Sequence, residues 1–126
     1  MTTRYTKDHE WVRMAGGFDG IAIIGISAYA AEQLGDVVYV ELPATGAEFA
    51  QGADMAVVES AKAASDVYAP ISGTITAANA LLSTQPDLVN QSPQAEGWLV
   101  KIHPANIVEF EALMDEAAYA AFVQGL

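Results

Sequence analysis

The sequence contains no cysteine and few basic residues. Without a thiol, the chain can form no disulfide, no thiolate nucleophile and no sulfur ligand for a metal. Five lysines and arginines stand against sixteen acidic residues, which gives a formal charge of −11 at pH 7. Nucleic-acid binding depends on basic side chains that neutralise phosphates, so this composition argues against a nucleic-acid partner. The acidic surplus instead favours partners with basic faces.

Long apolar segments are also absent. The longest run covers residues 21–26, far too short to cross a membrane, and the N-terminus shows no signal-peptide pattern. We therefore expect no membrane insertion, and a cytoplasmic protein or the mature form of a mitochondrial one. The 126 residues suit a single monomeric domain over 1–126. Its core should lie over about 4–104, with C-terminal helices over about 106–124.

The pattern of apolar residues predicts a mainly β fold. Turn signals separate short runs of β-branched and other apolar residues. The opening segment through Val12 should form the first strand of a hairpin, with a turn at residues 15–17, and further strands should follow over 18–26, 36–42, 53–59, 67–71, 74–78 and 98–102. A short helix should follow the second strand, with Ser27 at its N-cap and Gly35 ending it. Near the C-terminus, Asn106 and Glu109 have capping-box spacing, and Asp115 should begin another helix. An apolar stripe should pack these helices on the sheets, and its members are Ile107, Phe110, Leu113, Met114, Ala117, Ala118, Ala121 and Phe122.

The stretch from Glu59 to Asp66 has an unusual composition between two predicted strands. Its one basic residue, Lys62, is flanked on both sides by alanine. This pattern predicts a tight hairpin with a solvated, charged amine at its tip. Such a lysine is a poor general base but a good attachment point, because small neighbours leave room for an acylating enzyme. The competing interpretation is a surface lysine that only keeps the turn soluble.

Catalytic patterns are missing from the sequence. The two histidines, His9 and His103, lie near opposite ends of the chain, and no nucleophile–histidine–acid order accompanies them. His9-Glu10 does not continue into the second histidine of a zinc-protease helix. We therefore expect no enzyme activity and no metal site.

The lysine motif Glu59-Ser60-Ala61-Lys62-Ala63 resembles the lipoylation hairpin of glycine cleavage system H proteins. Gly46 lies sixteen residues before the lysine and Gly73 eleven after it, as is typical of lipoyl-bearing domains. The opening segment, with Tyr5-Thr6 followed by His9-Glu10-Trp11-Val12, is similar to the same family. Biotin carriers share the fold but flank their lysine with methionines, so the alanines favour lipoate.

The resemblance implies a lipoyl/biotinyl-type barrel-sandwich hybrid that carries lipoate covalently on Lys62. Such a carrier shuttles the methylamine group of glycine from glycine decarboxylase to aminomethyltransferase, and dihydrolipoyl dehydrogenase reoxidises it. Lipoate ligase or a lipoyl/octanoyl transferase would attach the group. The residues implied in recognition of the hairpin are Glu59, Ser60, Ala61, Asp66, Gly46 and Gly73. We expect the acids among them to orient the attaching enzyme.

The family also parks its loaded arm in a surface cleft, and the resemblance implies Asp8, His9 and Glu10 near that cleft. Asp8 replaces a small hydroxyl residue of the family, Ala61 replaces a more usual valine, and Gln94 replaces an aromatic residue. Three alternatives stay open: a lipoyl relay that donates lipoate to other carriers, a biotin carrier, and an unmodified scaffold that binds partners through its acidic surface.

Overall fold

A computed structural model describes residues 2–14 and 20–126 of the chain. The larger part of its regular structure is antiparallel β-sheet, which confirms the mainly β prediction. The strands are β1 (Thr2–Tyr5), β2 (Glu10–Met14), β3 (Ala22–Ile26), β4 (Val37–Glu41), β5 (Glu48–Phe49), β6 (Asp54–Ser60), β7 (Ala64–Tyr68), β8 (Gly73–Ala78) and β9 (Val100–Pro104). The α-helices are α1 (Ala28–Leu34), α2 (Leu88–Gln91), α3 (Ile107–Glu111) and α4 (Glu116–Gln124), with a 3₁₀ turn at Ala80–Ser83.

The strands form two sheets that share one core. One sheet has the order β1-β2-β3-β9-β8-β5, and the other has the order β4-β6-β7. Ile24 and Ile102 from the first sheet and Val58 from the second belong to the same buried cluster, and each is fully buried. Full burial of such a side chain contributes about 1.5–3 kcal/mol. Apolar packing between the sheets therefore fixes the position of the β6–β7 hairpin.

Predicted capping residues explain where the helices begin. Ser27 Oγ accepts a hydrogen bond from the Ala30 amide at 3.2 Å, and Gly35 ends α1 with φ of 79°. Asp115 Oδ1 accepts from the Ala118 amide at 2.8 Å and caps α4. These caps confirm the predicted starts of α1 and α4.

The capping box predicted at α3 is only half present. Asn106 Oδ1 accepts a hydrogen bond from the Val108 amide at 3.0 Å, as an N-cap should. The Glu109 carboxylate, however, accepts from the Ser72 amide at 2.7 Å and from the Ser72 hydroxyl at 2.8 Å. Glu109 therefore fastens α3 to the turn before β8 instead of capping its own helix.

The N-terminal region contains one more strand than the sequence indicated. Thr2–Tyr5 pairs with β2 in a register that sets Arg4 opposite Val12, so α1 follows the third strand rather than the second. Residues 2–4 are polar because they lie on an edge strand that is partly exposed to water, and they therefore lack the apolar pattern of a buried strand. The predicted turn at residues 15–17, and the first two residues of the predicted strand 18–26, lie outside the described residues.

The C-terminal helix α4 packs through Tyr119, which the predicted stripe omitted, and through Phe122, which it included. Ala117, Ala118 and Ala121 are exposed, whereas Tyr119 is only 8% exposed. The Tyr119 ring stacks on Tyr5, with centroids 4.3 Å apart and planes within 5°. Burying an aromatic ring removes far more apolar surface from water than burying alanines does, so the tyrosine decides the orientation of the helix.

Trp11 belongs to a second, smaller apolar cluster, in which Tyr5 and Tyr119 are also buried. Its ring is fully buried against Gly25, where a Cβ would lie 2.8 Å from the indole. The indole N–H donates to the Pro93 carbonyl at 3.0 Å. Within residues 2–14 and 20–126, no helix has the length and apolar character needed to cross a membrane.

Candidate functional site

The predicted hairpin is present, and Ser60 closes its turn. The Ser60 amide donates to the Ala63 carbonyl at 2.8 Å, while Ser60 Oγ accepts from the Ala63 and Lys62 amides at 3.1 and 3.3 Å. The Ala61 amide also donates to the Asp36 carbonyl at 3.2 Å. A serine hydroxyl that satisfies turn amides in this way holds a tight turn in one conformation.

Lys62 stands at the tip of this turn. Ala61, Lys62 and Ala63 are all exposed. Within the part of the chain that the structure describes, the Lys62 side chain makes no hydrogen bond or ion pair. Its side chain is therefore accessible to solvent, and hydrogen bonds hold the backbone of its turn.

A cleft of about 330 Å³ lies beside the hairpin. It has three walls: the segment from Asp8 to Glu10, one face of α1, and the paired strands β6 and β7. The lining residues are Asp8, His9, Glu10, Ile26, Tyr29, Ala30, Gln33, Leu34, Val58, Ser65, Asp66 and Val67. Ser65 on this wall is three residues from Lys62, about 10 Å along an extended chain.

Glu10 is the buried acid of the cleft, with only 2% of its surface exposed. Its carboxylate accepts hydrogen bonds from the Thr6 hydroxyl at 2.8 Å and the Tyr68 amide at 2.9 Å. Burial raises the pKa of Glu10 to about 7; these two hydrogen bonds lower that pKa, and the nearby charge of Asp8 raises it. At neutral pH the group is therefore present in both protonation states, an acceptor when ionised and a donor as well when protonated.

His9 has a left-handed backbone, with φ of 68°. It lies in the turn that precedes β2, and Asp8, His9 and Glu10 all line the cleft. Burial lowers the pKa of the His9 imidazole, while the Asp8 carboxylate opposes this shift.

The structure brings together some predicted site residues and separates others. Asp66, predicted as a hairpin recognition residue, lines the cleft, and Glu59 lies one residue before Ser60 on β6. Gly46 and Gly73 lie away from the hairpin, where β5 pairs with β8 in the other sheet. Gly46 has φ of 94°, and a Cβ at Gly73 would collide with the His103 carbonyl oxygen.

Gln94, where the resemblance implies an aromatic residue, does not line the cleft. Its Nε2 donates to the Tyr5 hydroxyl at 2.9 Å, and its Oε1 accepts from the Ala28 amide at 3.1 Å. Gln94 therefore links Tyr5 to the start of α1 by two hydrogen bonds, outside the cleft.

The face of α1 was missed as a site by sequence reasoning. Tyr29, Ala30, Gln33 and Leu34 supply a whole wall of the cleft. The three- and four-residue spacing of this set is that of one helix face, and this spacing was the available signal. It did not reveal that this face meets the β6–β7 hairpin, because that contact joins distant parts of the sequence.

An exposed lysine on a rigid turn, beside a cleft with one buried acid, on a two-sheet β-fold defines a carrier domain of the lipoyl type. No group of metal-ligating side chains occurs among residues 2–14 and 20–126. Comparison with known proteins agrees: the family model described as "Glycine cleavage H-protein" matches residues 3–125. The chain belongs to the glycine cleavage H-protein family.

Individual relatives support this assignment over almost the whole chain. The glycine cleavage system H protein of Phenylobacterium zucineum is 55% identical over 120 residues, covering 95% of this chain and 97% of the relative. That of Thermotoga maritima is 50% identical over 119 residues, covering 94% of each. A crystal structure of a glycine cleavage system H protein from Mycobacterium marinum superposes with a TM-score of 0.88 at 36% identity, covering 99% of this chain and 98% of that one. These matches confirm the predicted barrel-sandwich fold.

Proposed function

We propose that Lys62 carries a covalent lipoyl group, through which the chain serves as the lipoyl carrier of the glycine cleavage system. The observation that supports this most is that the Lys62 amine, on a turn closed by Ser60, has no hydrogen-bond or ion-pair partner among the described residues. A lysine with a structural role would be expected in an ion pair or packed along an apolar surface. Family membership supports the carrier function, and the geometry of the turn supports the attachment residue.

The residues of the chain fit a lipoyl arm. Ala61 and Ala63 leave the amine accessible. Amide formation would neutralise the ammonium group of Lys62 at an exposed position. When attached, the dithiolane supplies the sulfur chemistry that takes the methylamine group of glycine from glycine decarboxylase and passes it to aminomethyltransferase. The cleft offers Leu34, Val58 and Val67 as apolar wall for a hydrocarbon arm.

Glu10 gives the cleft a group suited to a cationic amine. Its ionised carboxylate has spare lone pairs beyond those used by Thr6 and Tyr68. A charge-assisted hydrogen bond inside a cleft is stronger than one in water, because the surrounding dielectric constant is lower. Asp8 and Asp66 add negative charge on the same cleft. The walls would also keep water from the amine that Glu10 holds.

In this proposal the chain performs no catalysis of its own. The chemistry takes place on glycine decarboxylase, aminomethyltransferase and dihydrolipoyl dehydrogenase, and a lipoate ligase or lipoyl/octanoyl transferase modifies Lys62. The chain contributes a tether, which keeps the transferred group at a high effective concentration near successive sites. We propose a cytoplasmic monomer, which the short apolar runs and the bacterial relatives support. Its net charge of −11 favours partners with basic surfaces.

Reconstitution with the three partner enzymes tests the function. The lipoylated wild type should support glycine-dependent reduction of NAD by the complete mixture, and Lys62→Arg should support none. Lys101→Arg is the matched control, because it removes a lysine whose ammonium lies 5.0 Å from the Trp98 ring, away from the hairpin. Full activity of Lys62→Arg would refute the proposal. Transfer of lipoate to other carriers without glycine-dependent reduction would favour the relay alternative instead.

A further inference from the structure

The hydroxyl group of Tyr119 lies at the meeting point of two hydrogen bonds. It is 2.7 Å from His9 Nδ1 and 2.7 Å from Ser27 Oγ. Tyr119 belongs to α4, near the C-terminus, and does not itself line the cleft. Its two partners belong to the segment before β2 and to the start of α1, far apart in the sequence.

Each partner of Tyr119 controls a different wall of the cleft. His9 stands between Asp8 and Glu10, which line the cleft with it, and its backbone is left-handed. A non-glycine residue in this conformation is held there only by its surroundings. The surroundings of the His9 ring are Tyr119, Tyr29 at 4.8 Å and Phe122 at 5.9 Å between centroids.

The second partner, Ser27, controls the orientation of α1. It is 1% exposed, and its hydroxyl oxygen accepts the Ala30 amide as the N-cap of the helix. That oxygen still has its own hydrogen to donate, and the Tyr119 hydroxyl is an acceptor within reach. Tyr119 can then donate to the unprotonated Nδ1 of a neutral His9. Hydrogen bonds can therefore run from the Ser27 hydroxyl at the start of α1, through the Tyr119 hydroxyl, to His9 in the Asp8–Glu10 segment.

We propose that Tyr119 is a positioning residue that fixes the side chains of His9 and Ser27 where the two walls of the cleft, α1 and the Asp8–Glu10 segment, meet. The inference rests on the proposed function for its biological use, since a fixed cleft would retain the amine that the lipoyl arm carries. A direct backbone bond from the Ser27 amide to the His9 carbonyl, 2.8 Å long, joins the same two walls. Tyr119 therefore fixes the side chains of a junction whose backbone is already connected.

The substitution Tyr119→Phe separates this role from simple packing. Phenylalanine keeps the ring that stacks on Tyr5 and fills the same buried space, and it removes only the hydroxyl. If α4 merely covers the sheet, Tyr119→Phe will behave as the wild type. Tyr39→Phe is the matched control, because the Tyr39 side chain is 55% exposed and lies on β4.

The first experiment uses the unmodified protein and amide hydrogen exchange followed by NMR. The His9 amide, bonded to the Thr6 carbonyl at 3.2 Å, reports on one wall, and the Ala30 amide reports on the other. Exchange at both should accelerate about fivefold or more in Tyr119→Phe, the change expected when a hydrogen bond of ordinary strength is lost. Exchange at the hairpin amides of Lys62 and Ala63 should not change. Wild-type exchange at both His9 and Ala30 would overturn the proposal.

The second experiment measures how long the lipoylated protein retains the glycine-derived amine after separation from glycine decarboxylase, followed as ammonia release. Tyr119→Phe should release ammonia about fivefold faster, while lipoylation of Lys62, followed by intact mass, proceeds at the wild-type rate. Equal release rates in Tyr119→Phe and wild type would refute the role of Tyr119 in retention. Failure of the wild type to be lipoylated would refute the proposed function instead, and the exchange experiment would still decide whether Tyr119 joins the walls.

Discussion

The carboxylate of Glu10 accepts a hydrogen bond from the Tyr68 amide, with 2.9 Å between the two heavy atoms. Tyr68 is the last residue of β7, the strand that begins two residues after Lys62. The strand that leaves the lysine turn is therefore fastened at its far end to the buried acid of the cleft. This bond connects the lysine turn and the cleft through the single strand β7. A substitution of Glu10 should therefore alter the structure at both places.

Glu10 should make the stability of the protein depend on pH. Burial raises its pKa from 4.5 to about 7 in the folded state, so the folded protein binds this proton more tightly than the unfolded chain. Proton binding by Glu10 therefore stabilises the folded state. This contribution is fully present below pH 4.5 and is lost as pH rises through 7. A pKa shift of this size corresponds to about 3 kcal/mol of unfolding free energy. Glu10→Gln, which stays neutral, should lose this dependence.

Urea unfolding between pH 4.5 and 8.5 checks the prediction. The difference in free energy of unfolding between Glu10→Gln and the wild type should move in favour of the variant as pH rises. Glu41→Gln, at an exposed position on β4, should show no such trend. Parallel pH profiles for Glu10→Gln and the wild type would contradict the assignment of a raised pKa to Glu10.

Asp8 should hold up the pKa values of both of its neighbours in the cleft. Its negative charge raises the pKa of Glu10 and of His9, although burial is the larger influence on each. Asp8→Asn should therefore lower both pKa values, and less than burial shifts them, because Asp8 is exposed and its charge is screened by water. NMR titration of the Glu10 carboxyl carbon and the His9 ring measures this. A pKa that rises at either group would show that the Asp8 charge does not act there.

Glu59 should assist recognition by the enzyme that modifies Lys62. It precedes the Ser60–Ala63 turn and is half-buried, so its position relative to the lysine is fixed. Glu59→Lys should slow lipoylation by purified lipoate ligase, and the effect should shrink at high salt. Glu48→Lys carries the same charge change on β5, in the other sheet, and should be modified at the wild-type rate. Equal rates for the two variants would remove Glu59 from the recognition surface.

Gly46 and Gly73 should serve the fold rather than the modifying enzyme. Gly46→Ala should cost about 1 kcal/mol or slightly more, because its φ of 94° disfavours a side chain although the space around it is open. Gly73→Ala should cost more, about 1–3 kcal/mol, because its Cβ would meet the His103 carbonyl and Ile102. Urea unfolding gives both costs, and lipoylation of the folded fraction should stay at the wild-type rate. Slow lipoylation of well-folded Gly46→Ala would show instead that the glycine is read directly.

Local features of the fold were predictable because neighbouring residues determine them. The hairpin around Lys62 and the cap of α1 at Ser27 follow from short-range hydrogen bonds within a few residues. Glu109 shows where this reasoning ends. Its capping-box spacing was correct, but Ser72 offers two donors from a distant turn, and the sequence does not reveal that competition.

The cleft was only partly predictable for the same reason. The segment from Asp8 to Glu10 was recognisable from its motif. The wall on α1, and the link from Tyr119 to His9 across 110 residues, depend on how the two sheets and α4 pack. Periodicity places a helix face, but it does not say which distant segment that face will meet.

The attachment of one lipoyl group to Lys62 is the most direct test of the account. Intact mass spectrometry after incubation with lipoate ligase, lipoate and ATP should show complete addition of one lipoyl group to the wild type, Lys7→Arg and Lys101→Arg. Lys62→Arg should remain unmodified, with an unchanged thermal unfolding temperature because the side chain is exposed. Full lipoylation of Lys62→Arg, or a wild type that never gains the mass, would contradict the claim that this turn exists to present an acylatable amine.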